Sequence, residues 1–151
     1  MSTALPSADG PIEGSVVVPG SKSETNRAIV LAALSDGPSR VEGALHSRDS
    51  QLMIDALRAL GTQIRVDDDS TVHVTPGPVR GSAEIDCGLA GTVMRFIPAV
   101  TLLGDATVSF VGDPHASKRP MRGLLDGLRS LGATVDGDHL PFSVTPGLSL
   151  I

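Results

Sequence analysis

The chain reads as an α/β protein built from a repeated β-α-β-α-β-β unit. Three features of the sequence predict this. Residues 55–64 (DALRALGTQI) recur as residues 126–135 (DGLRSLGATV), and Val74-Thr75-Pro76-Gly77 recurs, in the same order, as Val144-Thr145-Pro146-Gly147. Gly43 and His46 have counterparts in Gly112 and His115, so several matches share one spacing of about 70 residues, the mark of a duplicated structural unit. Seventeen Gly and eleven Pro ask for short elements joined by tight turns rather than a helical bundle.

In chain order, residues 12–18 are expected as a strand that feeds a helix over 24–34. Its AIVLAAL stretch is apolar on every side and should be buried all round. A strand at 40–44 follows. The next helix carries Met53, Ala56, Leu57 and Leu60 at amphipathic spacing, and Gly61 stands where a left-handed C-terminal cap is wanted. Strands at 63–66 and 71–75 close the first unit. The second unit repeats the order: a strand at 83–86, a buried helix over 92–103, a strand at 106–111, and a helix bearing Met121, Leu124, Leu125, Leu128 and Leu131. Gly132 caps that helix, and strands follow at 134–136 and 141–145. Pro98 lies inside the second buried helix and predicts a kink or a late helix start, since an interior proline costs about 3 kcal/mol. The units are bounded at 20–78 and 79–147, with 1–19 ahead of them and 148–151 behind.

Composition narrows the function. Aromatics are 2% of the chain, without Trp or Tyr, so the core must be aliphatic. A net charge of −5 argues against general nucleic-acid binding, which needs a basic surface, but a local basic cluster could still hold a small anion. The lone Cys87 permits no internal disulfide and is expected as a small buried side chain. Neither a secretory leader nor a membrane span is legible, so a cytoplasmic protein is expected.

Three segments carry chemistry. The first, PGSKSETNRA (19–28), opens a helix. Ser21 and Ser23 can cap it, and its free N–H groups and dipole favour an anion. Lys22 adds a mobile charge there. Arg27 follows Ser23 by one turn on the same face, so hydroxyl, ammonium and guanidinium can converge on a phosphate or carboxylate. It is not a nucleotide P-loop, because Ser21 rather than Gly precedes Lys22. The second segment, CGLAGTVMR (87–95), repeats the design with Gly91, Thr92 and Arg95. The third, DPHASKRPM (113–121), brings Lys118 and Arg119. From the residues alone, each can equally be read as an ordinary cap, a glycine turn or a basic loop. His46 and His115 read as structural, with no metal-ligand spacing around them. Asp49 with Ser47 reads as a helix cap, and 67–69 as a solvated acidic turn.

The ordered set PGSKSETNRA, AGTVMR and KRPM resembles the EPSP synthase (3-phosphoshikimate 1-carboxyvinyltransferase) family over nearly the whole chain, and CGLAGTVMRF is similar to its actinobacterial branch. That resemblance implies an inside-out α/β barrel of two domains, each with three copies of the unit around buried parallel helices. Two of the family's six copies would be present, with residues 1–19 contributing a strand to the other domain. It further implies that Lys22, Ser23 and Arg27 contact shikimate 3-phosphate and that Lys22, Gly91 and Arg119 face phosphoenolpyruvate. Thr92 and Asp49 would be cleft neighbours, and Lys22 the proton donor or electrostatic partner. No metal or organic cofactor, nucleic acid or membrane is implied, and the full enzyme is expected to be a monomer. The acidic catalytic residues would lie beyond residue 151, so the isolated chain is expected to be inactive. Leu89 and Phe96 depart from the family's frequent Asn and Pro, which bears on sensitivity to glyphosate. Two rival readings stand beside this one. A UDP-N-acetylglucosamine enolpyruvyl transferase would carry Lys-Asn at Lys22-Ser23 and a Cys in loop 113–117. A non-catalytic shikimate-phosphate-binding fragment would share the site without turnover.

Overall fold

The computed structural model describes residues 7–8, 10–67 and 70–147. Helix α1 (Lys22–Ala33), strand β1 (Ser39–Val41), helix α2 (Arg48–Ala59) and strands β2 (Gln63–Val66) and β3 (Val72–Thr75) form the first group. Strand β4 (Ala83–Asp86), helix α3 (Gly91–Val100) with a 3-10 turn at Thr101–Leu103, strand β5 (Val108–Val111), helix α4 (Arg122–Ser130), and strands β6 (Thr134–Asp136) and β7 (Phe142–Thr145) form the second.

The duplication is written in the sheets. The first is ordered β1-β3-β2 and the second β4-β5-β7-β6, so β5-β7-β6 repeats β1-β3-β2, antiparallel throughout. Val74 pairs with Ser39 and Ile64; its counterpart Val144 pairs with Val108 and Val135. Both valines are buried, because the central strand of each sheet faces the helices. The helix ends match as well. Gly61 (φ 105°) and Gly132 (φ 94°) take the left-handed turn. The Gly61 N–H donates to the Arg58 carbonyl and the Thr62 N–H to the Leu57 carbonyl, each at 3.0 Å; Gly132 and Ala133 repeat the pair on Arg129 and Leu128. A Cβ on Gly77 would overlap the Gly61 carbonyl oxygen, and one on Gly147 that of Gly132, so the glycine of each VTPG is required for the strand to pass its helix end.

The core lies between helices and sheets. Met53, Leu57 and Leu60 of the α2 stripe join Ile29, Val72 and Val74, all at most 2% exposed, and each such burial contributes roughly 1.5–3 kcal/mol. In the second group Phe110 and Phe142 stack at 4.9 Å, alongside Leu125 and Leu128.

The structure corrects several expectations. Residues 12–18 are not a strand: Ile12, Val16, Val17 and Val18 are 74–96% exposed and have no ladder partner among the described residues. The β4 strand in the second group pairs in parallel with β5, whereas the segment at 12–18 does not lie on β1, and a strand without a neighbour has no ladder to join. Among the described residues helix α1 is covered on one side, with Leu31 70% exposed, because α2, α3 and the first sheet pack on its opposite face. Leu131, at the end of the α4 stripe, is likewise exposed. Pro98 does not delay α3, which starts at Gly91. The helix instead tightens to a 3-10 turn three residues after Pro98, where the Thr101 hydroxyl donates to the Pro98 carbonyl at 2.8 Å. Strand β1 stops at Val41, short of the expected 44, as the chain approaches the left-handed Gly43 (φ 64°). Of the acidic turn at 67–69, Asp68 and Asp69 lie outside the described residues, while Asp67 is paired with Arg65 and, at 2.8 Å, with His73.

Candidate anion site at three helix N-termini

Three helices begin close together, and their first turns differ in how their N–H groups are satisfied. At α1, Ser21 is the N-cap, its Oγ accepting from the Glu24 N–H at 3.3 Å. At α2, Ser47 and Ser50 form a reciprocal capping box. Capping is therefore shared by Ser47 and Ser50, and the expectation that Asp49 takes part in it is corrected. The Asp49 carboxylate instead meets Lys22 Nζ at 2.9 Å. At α3 the N-cap is Ala90, which offers no side-chain acceptor, so the opening N–H groups of that helix lack a side-chain cap among the described residues.

Asn26, which no sequence motif singled out, joins the three ends. Asn26 is fully buried, and its Nδ2 donates to Thr92 Oγ1 at 2.6 Å and to the Asp49 carbonyl at 3.4 Å. It lies one turn after Lys22. Its Oδ1 is buried with no partner among the described residues. An amide that faces apolar neighbours in a helix of apolar stretch was the available signal.

Arg119 and Gly91 are brought together. Arg119 Nη1 donates to the Leu89 carbonyl at 2.8 Å, and Arg95 Nη1 to the Gly91 carbonyl at 3.1 Å. A Cβ added to Gly91 would stand 3.1 Å from both guanidiniums, so a side chain there would crowd the two cations. Uncapped N–H groups, a close-approach glycine and two guanidiniums make an electropositive corner suited to a carboxylate or phosphate.

Other predicted residues stand apart. Arg27 lies over the Phe96 ring, 5.8 Å from its centroid, and Ser23 is exposed to solvent. The departure at Phe96 therefore gives Arg27 its contact. His46 and His115 are exposed. Cys87 is buried as expected, and burial pushes its thiol up to about 12. A link that the sequence did not announce ties the groups together: Arg48, on the first turn of α2, grips Asp113 through Nη1–Oδ2 (2.7 Å) and Nη2–Oδ1 (3.0 Å). The bidentate bond raises the Arg48 pKa and holds the Asp113 carboxyl below its ordinary range. Among the described residues no three His, Cys, Asp or Glu side chains gather as metal ligands, and no helix is long and apolar enough to cross a membrane.

A repeated α/β unit that presents helix N-termini and cations at one corner has the chemistry to suit a small anion. Comparison narrows the class. Residues 6–147 match the EPSP synthase (3-phosphoshikimate 1-carboxyvinyltransferase) family. A 3-phosphoshikimate 1-carboxyvinyltransferase of Bifidobacterium longum (strain DJO10A) is 50% identical over 154 aligned residues, covering 96% of this chain and 35% of that protein. Two solved structures of EPSP synthase from Acinetobacter baumannii superpose with a TM-score of 0.77 at 28% identity, over 89% of this chain and 32% of theirs. The chain belongs to the EPSP synthase family, and it spans about a third of the length of the relatives it matches.

Proposed function

We propose that this chain supplies the opening part of the substrate site of an EPSP synthase. The whole enzyme would transfer the enolpyruvyl group of phosphoenolpyruvate to the 5-hydroxyl of shikimate 3-phosphate. The hydroxyl oxygen adds to C2 of phosphoenolpyruvate, losing its proton while C3 gains one, and phosphate then leaves as C3 gives up a proton, which restores the double bond of the enol ether. In this reading Lys22, Ser23 and Arg27 take shikimate 3-phosphate, and Lys22, Gly91 and Arg119 take phosphoenolpyruvate, with Thr92 and Asp49 beside them. The observation that carries it is the Asn26 bridge, which draws the first turns of α1, α2 and α3 to one place. Both substrates are anionic, so cations and free amides preset there can stabilise their joined charge as water is excluded.

Lys22 now faces Asp49, and an incoming anion would compete with that carboxylate for it. In this reading Lys22 serves as proton donor or electrostatic partner. The parent enzyme is read as cytoplasmic and monomeric, working without metal or organic cofactor. Arg27 over Phe96 is the expected point of difference in inhibitor response, since the ring must release the guanidinium before it can serve a ligand.

The test is calorimetric titration of the chain with shikimate 3-phosphate, alongside a phosphate-release assay with both substrates. Weak binding without turnover is expected, with at least tenfold loss of affinity in Lys22→Met, because a charge-assisted hydrogen bond contributes about 1.5–3 kcal/mol. A folded chain that binds neither substrate would refute the site, and turnover by the chain alone would refute the division of labour.

A further inference from the structure

We propose that Arg48 and Asp113 are a positioning pair that sets the geometry of the Gly91–Arg119 corner, and through it the grip on phosphoenolpyruvate, without touching the ligand. This rests on the substrate reading above. Arg48 belongs to the first group of elements and Asp113 to the loop after β5 in the second, so their two parallel hydrogen bonds join separate parts of the molecule.

The pair is one side of a closed ring of contacts. The Asp113 N–H donates to the Gly88 carbonyl at 3.1 Å, while its carboxylate holds Arg48. Gly88 is left-handed (φ 47°), and a Cβ there would stand 3.0 Å from Arg48 Nη2 and 2.8 Å from Leu52 Cδ1, so the guanidinium rests directly on this glycine. From Asp113 two turns lead onward: the Ala116 N–H donates to the Asp113 carbonyl at 2.8 Å and the Arg119 N–H to the Ala116 carbonyl at 3.0 Å. Arg119 then returns to the Leu89 carbonyl next to Gly88. The ring thus runs Arg48, Asp113, Arg119, Leu89, Gly88 and back to Arg48. Loops 87–90 and 113–119 carry both sides of the corner, and Arg48 is the member that anchors the ring to α2.

Magnitudes separate this role from a purely structural one. The side chains of Arg48 and Asp113 are 59% and 31% exposed, and exposed ion pairs add little to global stability. A bidentate grip nevertheless fixes orientation, and misplacing binding groups by about an ångström can cost up to about a hundredfold in function. The pair should therefore affect ligand affinity and loop dynamics far more than melting temperature.

The experiment uses the 151-residue chain and three variants: Arg48→Met, the isosteric Asp113→Asn, and the exchange of the two charges in Arg48→Asp/Asp113→Arg. Amide hydrogen exchange at residues 88–91 and 116–119 is measured alongside calorimetric titration with phosphoenolpyruvate and, separately, with shikimate 3-phosphate. In both single variants we expect faster exchange in the two loops and about tenfold weaker phosphoenolpyruvate binding. Shikimate 3-phosphate binding at the α1 end should change less than about twofold, and the charge exchange should restore part of the loss. Unchanged loop exchange in Asp113→Asn would overturn the proposal, as would equal losses for the two ligands. If the parent chain takes up no phosphoenolpyruvate at all, the substrate reading falls, and the exchange measurement by itself decides whether the pair positions the loops.

Discussion

Replacing Asn26 with Asp tests the junction of the three helix ends with almost no change of shape. The amide is fully buried and donates to Thr92 Oγ1 at 2.6 Å and toward the Asp49 carbonyl at 3.4 Å. A carboxylate would offer two acceptors. The Thr92 hydroxyl can turn and donate, which rescues one contact, but the Asp49 carbonyl would then face an oxygen. Lys22 is engaged with the Asp49 carboxylate and offers little compensation. Position near the start of α1 returns at most about 1 kcal/mol through the helix dipole, whereas burying a poorly paired charge costs several kcal/mol. Desolvation wins, and the variant should lose about 3 kcal/mol at pH 7, with the new carboxyl pKa raised by its burial. For a domain of this size that lowers the melting temperature by about 6–12 °C. The sign with pH follows from linkage. With its folded pKa raised by burial above the unfolded value, the folded variant holds more proton between the two, so its deficit shrinks by up to about 1.4 kcal/mol per unit as pH falls through that window. Asn26→Ala should show a smaller loss, about 1–2 kcal/mol, without that pH dependence. Urea unfolding of the three proteins from pH 4 to 8 checks this. An Asn26→Asp protein as stable as the parent at pH 7, or with a deficit constant across that range, would show that the bridge does not carry the junction.

Three further outcomes are expected. Gly77→Ala forces a Cβ onto the Gly61 carbonyl and should cost more than about 2 kcal/mol, whereas Gly127→Ala, exposed in mid-helix with open space around it, should add about 0.5–1 kcal/mol; thermal melts distinguish them. Cys87 should resist thiol reagents at pH 8 until the chain unfolds, because burial holds its pKa at about 12. The unfolded thiol ionises first, so stability should fall as pH rises from about 9 to about 12, by up to about 1.4 kcal/mol per unit, and Cys87→Ala should abolish that part of the slope. Val17→Lys should change stability by less than about 0.5 kcal/mol, since Val17 is 96% exposed and joins no sheet; a larger loss in chemical denaturation would mean that the segment packs after all.

Much of the molecule was legible beforehand. The helical stripes of α2 and α4, the caps at Gly61 and Gly132 and the paired short strands follow from periodicity and from glycine's freedom at positive φ, both local properties of the chain. The repeated VTPG was legible as a repeat, but its reason was not: only the packed structure shows each of its glycines pressed against the carbonyl of a helix cap. Residues 12–18 failed as a strand because strand formation depends on a neighbour, which alternation along one segment does not specify. Burial of α1 on every side failed for a similar reason: apolar composition states what a face prefers, not whether another element covers it.

The site divides along the same line. Sequence alone marked Lys22, Gly91 and Arg119 through their places at helix beginnings and in a basic loop, because caps, dipoles and charges act over one or two turns. Tertiary structure decided which of them meet. It turned Asp49 from a cap into the partner of Lys22, laid Arg27 over Phe96, made Asn26 the bridge between three helices, and paired Arg48 with Asp113 across the two groups. Such contacts span 23 to 69 residues of chain, and no local pattern encodes a distance of that kind.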